Sequence, residues 1–252
     1  AVQVAGVAGT YYAAATGTAV PARVAGSGAT AKIVVVPKPL DDFVCYKTSA
    51  TKALKRRLPL ADEFGSADTI LLRQRFFCDP LQPAHTEAHR LACFAARVKR
   101  GGAYRGRGHP TVEVANRLTD AEDVKIGRSQ MVCLPAAQDG VHATNPLDDF
   151  HCYKARAIPG TPHFAPRISA VTDAFLDRFV TIKSPRSYCT AAAATGVEPI
   201  EAGRRLRCFP IRLADRLPTF TPVVAASVAT QFGDGPVTLQ RPAMLCVSSA
   251  AH

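Results

Sequence analysis

Leu40-Asp41-Asp42-Phe43-Val44-Cys45-Tyr46-Lys47 returns almost unchanged 107 residues later as Leu147-Asp148-Asp149-Phe150-His151-Cys152-Tyr153-Lys154. Two more cysteines stand in shorter versions of this setting, Leu91-Ala92-Cys93-Phe94 and Leu206-Arg207-Cys208-Phe209. Each of these four openers is followed, 33 to 40 residues later, by a closing cysteine: Cys78, Cys133, Cys189 and Cys246. An apolar residue precedes each closer at a near-constant distance, 14 residues for Phe64, Phe175 and Phe232 and 15 for Leu118. All eight cysteines are used in this way, so the chain reads as four related units.

The units fall into pairs. Units one and three open with F-x-C-Y-K, and units two and four with L-x-C-F. A duplicated two-unit module accounts for this, spanning residues 39–140 and 145–252. The stretch 136–146 between them carries Gly140 and Asn145-Pro146 and lacks apolar periodicity, as a boundary should. Residues 1–38 contain no cysteine and form a separate N-terminal extension.

Within the units the pattern is that of strands. Phe179–Lys183, Pro236–Gln240, Asp123–Ile126, Pro110–Val114 and Arg167–Val171 alternate apolar with polar residues, the period of a half-buried strand. Phe64-Gly65-Ser66 and Phe232-Gly233-Asp234-Gly235-Pro236 supply turns. Nineteen prolines and seventeen glycines argue against long helices, leaving only Ala191–Ala194 and the surroundings of Asp173–Arg178 open to helix. The expected fold is all-β: four units of roughly 50 residues, in two pairs, as disulfide-stapled sandwich- or barrel-like modules behind an N-terminal strand extension. Units that small bury too little on their own and commonly need covalent staples.

An even set of cysteines in register with a repeat, without any CxxC, points to disulfides and not to zinc or redox sites. Opener-to-closer bonding within each unit is the economical scheme: Cys45–Cys78, Cys93–Cys133, Cys152–Cys189, Cys208–Cys246. A competing scheme joins each closer to the next opener, as Cys78–Cys93, Cys133–Cys152 and Cys189–Cys208, leaving Cys45 and Cys246 over. Both stay open on sequence. Disulfides imply an oxidising, extracellular or cell-surface setting. A chain beginning at Ala1 is expected to be a mature product freed of a secretory signal. No apolar run of membrane-spanning length is present.

The F-x-C-Y-K opener, Thr230-Gln231-Phe232-Gly233, and Val237-Thr238-Leu239-Gln240-Arg241-Pro242-Ala243-Met244-Leu245-Cys246 together resemble a secreted bacterial family of cysteine-containing β-repeats with no assigned function. The resemblance covers roughly residues 40–252. Units one and two depart from it at Asp62-Glu63-Phe64-Gly65 and Asn116-Arg117-Leu118. It implies an extracellular all-β repeat and nothing about chemistry.

In the extension, 1–10 and 31–36 are strand-like, and almost every side chain is Ala, Gly, Val or Thr. Such a segment is too apolar for a solvated tail and too small-sided for a core of its own. It either packs on its own first module or adds as a strand to a neighbouring copy, with Val2, Val4, Val7, Ile33 and Val35 as contact residues. Head-to-tail addition that does not close produces a filament of the protein with itself.

The net charge of +11 favours anionic partners. The densest basic stretch, 97–109, offers Arg97, Lys99, Arg100, Arg105 and Arg107 to polyanions or anionic glycans; Lys52–Arg57 reads as a basic surface turn. His85 and His89 would share a helical face, but the flanking prolines suggest a loop. Asp41-Asp42 and Asp148-Asp149 point to opposite sides of a strand and read as a repeated turn or cap, not a dyad. No G-x-S-x-G, phosphate-binding loop or dinucleotide fingerprint occurs. No enzyme, cofactor or metal is expected. The leading expectation is a structural subunit of an extracellular filament, joined through 1–38; the alternative is a monomeric, secreted polyanion- or glycan-binding adhesion module.

Overall fold

The computed structural model describes residues 40–49, 54–82, 89–99, 110–142, 147–194, 196–215 and 219–251, with four short strands nearer the N-terminus. Those four pair among themselves: β1 (Gln3–Val4) with β4 (Ala31–Lys32), and β2 (Gly9–Ala15) with β3 (Thr18–Val24). The other thirteen strands, β5 to β17, belong to one hydrogen-bonded sheet. The fold is all-β with four disulfides, and Ala191–Ala194, open to helix on sequence, lies in a strand. Four consecutive alanines have good helix propensity, but pairing with two other strands, Ala191 and Ala192 with one and Ala193 and Ala194 with the other, overrides it. Among the described residues no helix is long and apolar enough to cross a membrane.

Each cysteine occupies its own strand. The openers lie in β5 (Phe43–Thr48), β8 (Arg90–Val98), β11 (Asp149–Ala157) and β15 (Arg205–Leu213). The closers lie in β7 (Gly65–Pro80), β10 (Thr119–Gln138), β14 (Ser187–Ala194) and β17 (Gly233–Ala251). Antiparallel pairing runs β5–β7–β8–β10–β11–β14–β15–β17 and returns from β17 to β5. The disulfides are Cys45–Cys78, Cys93–Cys133, Cys152–Cys189 and Cys208–Cys246, the opener-to-closer scheme. Each joins residues directly opposite in register, with Cα atoms 3.9–4.0 Å apart. By the chain-entropy account, each closed loop contributes about 3–4 kcal/mol.

Period-2 alternation sorts the side chains of this circuit into two environments. Phe43, Leu91, Phe150 and Leu206, each two residues before an opener, share a buried cluster with all eight cysteines and Met131. The intervening residues face the other way: Val44, Tyr46, Ala92, Phe94, Val132 and Phe209 belong to a larger apolar cluster. A smaller third cluster holds Tyr153, Ala155, Tyr188, Val114, Val124 and Ile126.

What covers that outer face is the hairpin arm between the cysteines of each unit. The arms are β6 (Arg56–Asp62) with the start of β7, β9 (Thr111–Asn116) with β10, β12 (Arg167–Thr172) with β13 (Asp177–Ile182), and β16 (Val223–Thr230) with β17. Their tips are closed by one device. Asp62 accepts from the Phe64 N–H at 2.8 Å, Asn116 from Leu118 at 2.9 Å, Asp173 from Phe175 at 2.7 Å, and Thr230 from Phe232 at 3.2 Å. A short polar side chain capping the backbone two residues on is an Asx- or ST-turn. These are the apolar residues whose distance to the closers is nearly constant. Gly65 and Gly233 follow their phenylalanines at φ of 120° and 123°, where a side chain would be strained. Thus the turn of unit one has the form seen in unit four, despite its different sequence.

The arms reach out of their own units. That of unit one pairs with β14 of unit three, Ala61 opposite Ala193. In return, Asp173 of the third arm accepts from the Tyr46 hydroxyl of unit one at 2.7 and 2.8 Å, and Phe175 packs edge-on against Tyr46. The second arm pairs with β17 of unit four, Asn116 opposite Ser249, while β16 of unit four pairs with β10, Ala229 opposite Ala137. Two reciprocal exchanges therefore tie opposite units together.

Candidate functional site

The residue before each opening cysteine points to the outer face, beneath the arms. In units one and two it is apolar, Val44 and Ala92; in units three and four it is His151 and Arg207. A polar side chain sealed where its counterparts are apolar needs partners, and these two find very different ones.

Arg207 is fully buried. Its Nη2 donates to Glu122 Oε1 at 3.3 Å, but Nε and Nη1 have no hydrogen-bond partner. Burial pushes the guanidinium below its usual value, with Glu122 opposing the shift. Arginine nevertheless stays charged in proteins, so the site holds a cation that one carboxylate satisfies only in part. Arg207 lines a cavity of about 700 Å³ together with Glu122, Lys154, Arg156, His163 and Arg186. Arg156 and Arg186 are exposed there. Four cationic side chains against one carboxylate in a single cavity suit an oxyanion: a sulfate ester, a phosphate or a carboxylate.

His151 lies in a polar cluster under the tip of the first arm. Its Nδ1 is 2.8 Å from Asp62 Oδ2 and 2.7 Å from the Tyr153 hydroxyl, which itself donates to Asp62. Its Nε2 is 2.7 Å from Ser129 Oγ. Alongside, Phe64 meets Tyr153 edge-on, and Glu63 accepts from the Tyr188 hydroxyl at 2.9 Å and pairs with Arg205 at 2.7 Å. Burial raises the Tyr188 hydroxyl, with the Glu63 charge adding to the shift.

The residues singled out on sequence are placed as follows. All eight cysteines are gathered in one core. Arg97, near the end of β8, and Lys99 are exposed, whereas Arg100, Arg105 and Arg107 lie outside the described residues. Val4 falls in β1; Val2, Val7, Ile33 and Val35 lie outside the described residues. His85 does too, and His89 is buried 3.5 Å from Asp41. Asp42 pairs with Arg117 of the second arm and accepts from the Ser248 N–H at 2.7 Å. Asp148 accepts from the Ile200 N–H at 2.6 Å and pairs with Arg204 at 3.3 Å. The carboxylates before the openers thus hold segments that pack across them.

Sequence reading missed Arg207, His151, Ser129 and Asp62. A signal existed for the first two: polar residues stand at a repeat position that is apolar in the other units. No family model, curated protein or solved structure matches the chain.

Proposed function

We propose that the protein is an extracellular anion-binding module, taking sulfated, phosphorylated or carboxylated polymers at the cavity around Arg207. The single observation that carries this reading is the cavity lined by Lys154, Arg156 and Arg186 beside the buried Arg207 guanidinium, two of whose nitrogens are unpartnered. The net charge of +11 brings polyanions to the surface, and the exposed Arg156 and Arg186 give an anionic group its contacts in the cavity, with the buried Arg207 charge behind them. The eight-strand circuit serves as a barrel-like body of four related units, cross-linked for an oxidising environment outside the cell. Heparin and dextran sulfate are the probes, with neutral dextran as control. Binding is expected to fall linearly with salt on logarithmic axes, and Arg207→Met is expected to weaken it about tenfold. Equal binding of neutral and sulfated dextran, or indifference to Arg207→Met, contradicts the reading.

A second reading is favoured by the N-terminal strands, which among the described residues pair with one another and not with the thirteen-stranded sheet. Residues 1–38 are then a joining segment, adding to another copy to build a filament. Removal of 1–38 is expected to abolish fibres in negative stain while leaving heparin binding intact. Fibres that survive the truncation remove this reading.

A further inference from the structure

Ser129, His151 and Asp62 come from three different strands and meet in the order hydroxyl, imidazole, carboxylate. Ser129 Oγ lies 2.7 Å from His151 Nε2, and His151 Nδ1 lies 2.8 Å from Asp62 Oδ2. We propose that Ser129 is a base-activated nucleophile with esterase-type reactivity, an activity separate from anion binding at Arg207.

A local irregularity makes the meeting possible. Cys133 and Met131 face the sulfur core, so regular alternation would send Ser129 there as well. The ladder between β10 and β11 shifts register on both sides of Ser129, between Ile126 and Ser129 and again between Ser129 and Met131. The shift sets Ser129 opposite Tyr153, on the face that carries His151. Bulges commonly re-aim a side chain in this manner beside active sites.

The hydrogen-bond pattern fixes the protonation of the ring. Both groups at Nδ1 act as acceptors: the Asp62 carboxylate, and the Tyr153 oxygen, whose own proton goes to Asp62. Nδ1 therefore carries the hydrogen, and Nε2 presents a lone pair to the Ser129 hydroxyl. This is the relation by which a histidine draws a proton from a serine, with the carboxylate holding the tautomer. The side chains of His151 and Asp62 are about 1% exposed, whereas Ser129 is half-buried, so the base is more shielded from solvent than the serine it faces.

The substrate class is a carboxylic ester. Ser129 Oγ bonds to the carbonyl carbon as its proton passes to Nε2; the ester C–O bond breaks, and the departing alcohol takes that proton. Water then attacks the acyl-serine, gives a proton to Nε2, and releases the acid as the proton returns to Ser129. Asp62 and Tyr153 are positioning residues.

A fluorophosphonate reagent tests this on the intact protein: the Ser129 oxygen displaces fluoride from phosphorus while Nε2 takes the proton. Peptide mapping is expected to find Ser129 labelled at least tenfold faster than any other serine, with no such label in Ser129→Ala and at least tenfold slower labelling in His151→Gln. Nitrogen NMR of the wild type supplies a readout that does not depend on the variants folding, and should show the Nδ1–H tautomer of His151. Labelling of Ser129 no faster than that of other serines, labelling indifferent to His151→Gln, or an Nε2–H tautomer each overturns the proposal.

Discussion

Cys78 and Cys93 belong to different disulfides, yet their sulfur atoms lie 3.7 Å apart. The other three gaps are alike: 3.9 Å for Cys133 and Cys152, for Cys189 and Cys208, and for Cys246 and Cys45. Bonds and gaps alternate around one loop of eight sulfurs. The two pairing schemes that sequence leaves open are thus the two ways of joining neighbours on that loop, and each unformed bond is one thiol exchange away.

Cys78→Ser exposes this adjacency. It frees Cys45, whose nearest foreign sulfur is Cys246; attack there releases Cys208, which lies beside Cys189. Continued exchange passes the thiol to Cys152 and then, through Cys133, to Cys93. The expected outcome is a single free thiol shared among Cys45, Cys208, Cys152 and Cys93, with the three remaining closers always bonded. Alkylation and non-reducing peptide mapping read it directly; a free thiol on a closer counts against the loop.

The Tyr46–Asp173 contact locks one arm exchange. Asp173 accepts the Tyr46 hydroxyl and the N–H groups of Phe175 and Leu176, the first and last of them buried. Asp173→Ala leaves two buried donors and one part-buried donor unpaired and is expected to cost about 3 kcal/mol. Tyr46→Phe should cost about 1–2 kcal/mol, and the double variant less than the sum. Urea unfolding of the four proteins gives the cycle; strict additivity argues against the contact.

Two carboxyls set a pH dependence. Burial raises Asp149 to about 6, with repulsion from Asp148 adding and a hydrogen bond from Gln231 opposing. Burial also raises Asp173 to about 6, against hydrogen bonds from Tyr46 and the Phe175 backbone. An acid raised on folding binds its proton more tightly in the native state. Its contribution is complete below the ordinary value of 3.8 and is lost as pH climbs through about 6. Melting temperature measured across this window for the wild type and Asp149→Asn should show the variant gaining on the wild type as pH rises. A constant difference contradicts the assignment.

How much of this was legible turns on range. The cysteine positions and the turn residues Phe64, Leu118, Phe175 and Phe232 repeat along the chain, so spacing exposed them and narrowed the disulfides to two schemes, between which only the register of the strands decides. The arm exchanges did not repeat in a readable way, because Asp62 meets His151 across 89 residues and Asp173 meets Tyr46 across 127. Ser129 was hidden by alternation itself, which assigns it to the sulfur side until the register shift is known. His151 and Arg207 were visible as exceptions to an apolar repeat position, but their partners come from other strands.

Arg207→Met separates stability from binding. Replacing both members of a buried ion pair by uncharged residues of similar size is often neutral or stabilising, so Glu122→Gln accompanies Arg207→Met, and two guanidinium nitrogens already lack partners. Unfolding free energy is expected to change by less than about 1 kcal/mol, while the rise in melting temperature produced by a given heparin concentration shrinks, as a tenfold weaker affinity requires. Severe destabilisation would show that Arg207 serves the fold and not a ligand.

The most direct test is disulfide mapping of the native, unreduced protein with a count of free thiols. Bonds Cys45–Cys78, Cys93–Cys133, Cys152–Cys189 and Cys208–Cys246 with no free thiol are expected. Native bonds between closers and the next openers, or free cysteines in the purified protein, would contradict the cross-linked circuit on which the arms, the Arg207 cavity and the Ser129 cluster are built.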